Sequence, residues 1–275
     1  MKLAMTLVLT VGISGAASAE EDQAPWVLNK EQQKQILELF SANEKSITPA
    51  GIVTLEYVFD EDKPEPADNF FPPVSSAQSA RIKWANHHWG YGYNFVDGVV
   101  IADKGEWFHE AVWEPDVRMD VEFVSFTTGN PSRKDLVAAT YAWSKKNRRR
   151  VGSHLGTQLV RLSGVKATAK QGRSALLVHE ERSRFGFELK AGKFSTRQMG
   201  SVRESTSSKK LLKNLTAGQV GLVWSGGVTG VVEKIQITGR LQKEWIQKHY
   251  PEFDPTPAST ENGAISHQDE KTSGR

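Results

Sequence analysis

The chain of 275 residues contains no cysteine. That excludes a disulfide framework, thiol catalysis and cysteine-ligated metal centres, and a chain this long can bury a large core without such staples. Charge of one sign is also lacking. Lys and Arg number 35 against 32 Asp and Glu, a formal net charge of +3, so the overall balance makes no case for nucleic acid. No apolar run reaches the roughly 20 residues that a membrane-spanning helix needs, and membrane insertion is not expected. A fixed-period repeat is missing, which argues against a propeller or solenoid. No glycine-rich phosphate loop or Gly-x-Ser-x-Gly elbow occurs. His87-His88, His109-Glu110 and His179-Glu180 lack metal-ligand spacing, and no Asp/Asn loop has EF-hand form, so no metal or other cofactor is expected.

What is present begins with a leader. Lys2 precedes the short apolar stretch Leu3 to Ile13, and Ala17-Ser18-Ala19 is a small-x-small cleavage pattern. Residues 1–19 therefore read as a signal peptide cleaved after Ala19, and the mature protein is expected to be secreted or periplasmic. Without a following cysteine, a lipid anchor is excluded. Residues 20–45 form a lead-in and one amphipathic helix. Asn29 is its N-cap with Gln32 three residues on, and Ile36, Leu39 and Phe40 share a face that packs on the rest as a lid, ending near Ala42.

After the helix the apolar period switches from 3.6 to 2. Strands are expected at Ile52–Phe59, Ala80–Trp84, Tyr91–Phe95, Val99–Asp103, Trp107–Trp113, Val117–Phe126, Leu136–Ser144 and His154–Leu162. Further strands follow at Ser174–Glu181, Phe185–Ala191, Lys193–Gln198, Gln219–Trp224 and Val231–Gly239, with Gly226-Gly227 as a hairpin turn. Residues 60–73 hold four prolines and read as a loop, and 241–250 as a short closing helix. Many short strands with almost no helix between them indicate an all-β sandwich over 46–250. Residues 251–275, poor in apolar side chains, read as a disordered tail.

Two stretches carry a family likeness. Gly218-Gln219-Val220-Gly221-Leu222-Val223-Trp224, then Val232-Glu233-Lys234-Ile235-Gln236-Ile237-Thr238-Gly239, resembles the closing strand pair of concanavalin A-like lectin/glucanase domains. Asp97-Gly98-Val99-Val100, with Trp113-Glu114-Pro115-Asp116 leading into Val117–Phe123, resembles a segment of the secreted 3-keto-disaccharide hydrolase-type branch. The resemblance implies a jelly-roll β-sandwich and a carbohydrate or polysaccharide partner. It also makes calcium possible, since related sandwiches often carry that ion.

Three groups of residues are candidates for chemistry. Between 116 and 123, Val117, Met119, Val121 and Phe123 take the core face, which leaves Asp116, Arg118, Asp120 and Glu122 on the other, about 6.5–7 Å apart in succession. Asp120 and Glu122 are thus a candidate catalytic pair near glycosidase carboxylate separation. The competing reading is a charged stripe tied by cross-strand salt bridges, with Arg118 neutralising its neighbours. Trp84, Trp89, Tyr91, Tyr93 and Trp107 are candidates for stacking on sugar rings, against the alternative that they fill the core. Lys145, Lys146, Arg148, Arg149 and Arg150 are a candidate anion-binding run, read either as a solvated loop tip or as a patch for acidic polysaccharide or lipid headgroups.

Overall fold

The computed structural model describes residues 26–77, 79–85, 97–125, 136–144, 149–155, 160–162 and 181–257. The expected leader, the aromatic segment 86–96 and the basic residues 145–148 lie outside the described residues.

In chain order the elements begin with β1 (Trp26–Val27), helix α1 (Lys30–Glu38), β2 (Glu44–Ile47) and β3 (Ile52–Val58). A 3-10 turn at Glu65–Asn69 precedes β4 (Phe70–Phe71), β5 (Ile82–Trp84) and β6 (Val99–His109). Then come β7 (Trp113–Ser125), β8 (Leu136–Ser144), β9 (Arg149–His154) and β10 (Val160–Leu162). The remainder holds β11 (Glu181–Lys190), β12 (Lys193–Gln198), β13 (Ser201–Thr206), β14 (Gln219–Leu241), helix α2 (Lys243–His249) and β15 (Thr256–Pro257).

Strand β14 is the spine. Its first part pairs with β8 on one side and β6 on the other. Past a register shift between Trp224 and Val228, it runs between β7 and, in turn, β6 and β3. One layer is therefore β10-β9-β8-β14-β6-β4, and the other is β2-β3-β14-β7-β11-β12-β13, with β5 on the opening of β6. All these pairings are antiparallel, and β9 packs across from β11 and β12. The result is the all-β, jelly-roll-type sandwich expected, curled so that β14 belongs to both layers.

The glycines at 226 and 227 mark the bend in that spine, and the expected hairpin turn is corrected. The two strands expected on either side are one 23-residue strand crossing between layers. Likewise Val99–Asp103 and Trp107 onward join into β6, and the turn to β7 falls after His109. Strands β2 and β13 escaped the sequence pattern because both are edge strands with mostly exposed, polar side chains and no apolar alternation.

The core lies between the layers. Val117, Met119, Val121 and Phe123 are all buried there with Ile235 and Ile237 of β14. Helix α1 has the expected capping box between Asn29 and Gln32 but ends at Glu38, earlier than expected. Ile36 is its buried residue, and Phe40 just beyond stacks on Trp245 of α2 with centroids 5.8 Å apart. The two chain ends close together: β1 pairs with β15, Trp26 meets Phe253 edge-on, and Gln32 donates to the Asp254 carbonyl. The expected disorder of 251–275 is corrected for 251–257, where Phe253 is fully buried. Residues 258–275 lie outside the described residues.

Candidate functional site

Strand alternation sets the outer face of the layer built on β3, β14, β7, β11 and β12. Asp120 on β7 sits opposite Gln236 of β14 and Gly186 of β11, and Gly186 in turn opposite Arg197 of β12. A Cβ at position 186 would collide with the Met119 carbonyl oxygen, so only glycine lets β11 approach β7 here. With no side chain at 186, the carboxylate of Asp120 lies under its neighbours and is only 3% exposed.

Three guanidinium groups surround it. Arg118 donates through Nε to Asp120 Oδ2 at 2.6 Å, with Nη2 also 2.6 Å from that oxygen. Arg184 Nη2 stands 4.0 Å from Oδ2, and Arg197 Nε 3.8 Å from Oδ1. Arg197 also donates to Glu188 at 3.2 Å, and Arg184 to Gln236 at 3.3 Å. Glu122 lies opposite Arg184 and Lys234 in register. At the margin, Arg182 forms a two-bond pair with Glu233, and Lys234 pairs with Glu56 at 2.8 Å. The expected alternative of a stripe tied by cross-strand salt bridges describes this face well. Asp120, expected as half of a catalytic pair, is instead a covered anchor. The groups that meet solvent are Arg118, Arg184, Glu122 and Glu188, each partly exposed. Arg184, Glu188, Arg197 and Gln236 were not among the expected site residues. For Arg184 and Glu188 the signal was present as the alternation of Arg182, Arg184 and Glu188 along one strand.

The polar face ends in a small apolar cluster separate from the main core: Val124 on β7, Val231 on β14, Val100 on β6, and Ala85. Val124 follows Glu122 on the same side of β7, about 7 Å further on. Ala85 is the last described residue before segment 86–96, and its N–H bonds to the Gly98 carbonyl where the chain re-enters. Ala85 and Gly98, on either side of the segment carrying Trp89, Tyr91 and Tyr93, thus meet at the end of the charged face. Trp84 and Trp107 are different. Alternation with Ile82 turns Trp84 to the main core, where it is partly buried, and Trp107 is fully buried against Phe70 with centroids 4.5 Å apart. Trp107 is corrected from a sugar-stacking candidate to a core residue, and Trp84 packs on the opposite side of the layer from the acids.

Of the basic run, Arg149 and Arg150 open β9 in the hairpin with β8. Arg149 donates to the Lys213 carbonyl at 3.0 Å, and Arg150 pairs with Glu106 at 3.5 Å.

A second polar cluster is internal. The Ala111 N–H donates to His109 Nδ1 at 3.0 Å, which leaves the proton on Nε2, 2.7 Å from the Tyr57 hydroxyl. Tyr57 donates to Asn69 Oδ1, and Asn69 to Glu110 at 2.6 Å. Burial lowers His109 to about 3, and burial, helped by Glu110, pushes the Tyr57 phenol well above its usual range. With no opening to solvent at His109, this network fixes β3, β6 and the 3-10 turn together. Among the described residues, no group of three His, Asp or Glu side chains is placed to hold a metal.

No protein-family model matches the chain, and no curated protein matches it. Solved structures do. Arcelin-5, a lectin-like defense protein from Phaseolus vulgaris, is 9% identical with a TM-score of 0.43, covering 70% of this chain and 100% of its own. A Lotus tetragonolobus seed lectin is 8% identical, with a TM-score of 0.42 over 69% of this chain and 99% of its own. A Bacillus licheniformis beta-glucanase is 8% identical, with a TM-score of 0.37 over 61% of this chain and 96% of its own.

Proposed function

We propose that this chain is an exported carbohydrate-binding β-sandwich protein whose site is the outer face of β14, β7 and β11. The observation that carries this reading is convergence. The outer face of the expected acid strand ends where Ala85, the residue before the aromatic-rich segment, clusters with Val124 and Val231. Sugar hydroxyls donate and accept at once, so a row of alternating guanidinium and carboxylate groups suits them, and aromatic planes suit the apolar ring faces. Binding is favoured over cleavage because Asp120 lies beneath Arg118 and Arg184, committed to ion pairs rather than presented to a glycosidic bond.

The test is incubation of the chain from Glu20 onward with soluble and insoluble polysaccharides and small glycosides, followed by assay of both bound protein and released sugar. Depletion of protein without release is the expected result. It should weaken at least roughly tenfold in an Arg118→Ala, Arg184→Ala variant, since each charged hydrogen bond lost is worth about 1.5–3 kcal/mol. Release of sugar, or binding to no glycan, would overturn the proposal.

A further inference from the structure

Arg149, from the expected anion-binding run, belongs to a larger basic surface that the fold assembles from three separate stretches of chain. At the β11–β12 turn, Lys190 and Lys193 are directly opposed, with Ala191 and Gly192 at the tip in left-handed conformations of φ 48° and 69°. Two lysines facing each other repel, an arrangement that costs stability unless something anionic covers it. One residue further along β12, Phe194 pairs with Thr206, the last residue of β13. The chain therefore leaves β13 beside Lys193 and enters the connection bearing Lys209, Lys210 and Lys213. In that connection Leu212 is buried, and Leu211 and Leu215 pack against the core. The amides of Leu211 and Leu212 bond to the Ser208 carbonyl. With the leucines held inward, the three lysines are exposed. The Lys213 carbonyl then takes the hydrogen bond from Arg149, which brings the third stretch, the start of β9, to the same place.

These six cations have no carboxylate at ion-pair distance among the described residues. No acid occurs between Ser205 and Gln219 or between Lys145 and Ser153. Glu106 is taken by Arg150, and Glu188, two residues before Lys190 on β11, by Arg197. From this we infer that this end of the sandwich binds an acidic polysaccharide, a chain bearing regularly spaced carboxylates or sulfates. A hydrated polymer fits better than a membrane or a nucleic acid. The exposed apolar residues of this hairpin layer, Met199 and Val202, sit at the opposite end of β12, about 17 Å away at 3.3 Å per residue, so no apolar wedge accompanies the charge. No exposed aromatic side chain is described here to stack on bases. The choice of polysaccharide among polyanions rests on the carbohydrate reading; the basic surface itself does not.

The experiment measures retention on polygalacturonate, on its fully methyl-esterified form, on anionic phospholipid vesicles and on single-stranded DNA, as a function of salt. The wild-type chain is compared with Lys209→Glu, Lys210→Glu, Lys213→Glu. A control carries the same charge change elsewhere, Lys30→Glu, Lys34→Glu, Lys63→Glu. Expected are salt-sensitive retention on polygalacturonate alone, a loss of tenfold or more, on the order expected for removing several steered charges, in the first variant, and little change in the control. Equal loss in the control would reduce the effect to net charge and overturn the inference. So would retention on vesicles or DNA as strong as on polygalacturonate. Uncharged-glycan binding should survive the first variant and fall with Arg118→Ala, Arg184→Ala, so the two sites fail separately.

Discussion

His109 is a fully buried imidazole between Tyr57 and the Ala111 amide, and its neutrality is a condition of the fold. Its folded value, lowered to about 3 by burial, lies below that of the unfolded chain, near 6.5. Between those limits the unfolded chain takes up a proton that the folded one refuses. The stability that His109 contributes is thus complete above about pH 6.5 and is lost as pH falls toward 3, at up to about 1.4 kcal/mol per pH unit. Urea unfolding followed from pH 7.5 to 4 should show this slope. A His109→Gln variant should be less stable at pH 7 and show a shallower slope; an unchanged slope would mean that His109 is not the group responsible. Asp120 illustrates the other use of a buried polar group. It was legible as a polar-face residue beside Arg118, but nothing in its own strand said that a glycine on β11 would let Arg184 and Arg197 close over it as well.

Helix α1 and the segment after α2 form one unit. Phe253 is inserted against Trp26, and Phe40 stacks on Trp245, so each chain end shields apolar surface of the other. Phe253→Ala should cost about 3–5 kcal/mol, the usual range for a fully buried phenylalanine. It should also raise amide exchange in α1, whose Gln32 bonds the neighbouring Asp254 carbonyl, while leaving β7 and β11 protected. Exchange raised everywhere equally would show that the ends are not a separable unit. The sequence made α1 readable through Asn29 and Gln32, and β3, β8 and β12 through alternation, because such signals are local. The union of 219–224 with 231–239 into β14 was not readable. A Gly-Gly pair has the same appearance at a turn and at a bend between layers, and only pairing with β6 and β7 across the bend decides it. Phe253 was lost in a composition otherwise typical of disorder, where one aromatic residue carries the packing.

The whole molecule is a charge-balanced sandwich whose charges are unevenly used. On the outer face of β14, β7 and β11 they pair off around Asp120, whereas at the β11–β12 end the lysines have no carboxylate at ion-pair distance among the described residues. Near-neutral totals conceal both arrangements, which is why composition argued only against a general polyanion binder. On the proposed reading, the two surfaces suit different parts of a glycan.

The most direct test of that assignment is a two-dimensional amide NMR titration of the isotope-labelled chain with the strongest-binding uncharged glycan. Shifts should concentrate at Glu122, Val124, Arg184 and Gln236 and in segment 86–96. Shifts confined to β8, β9 and β10, or none at saturating glycan, would contradict a carbohydrate site on this face.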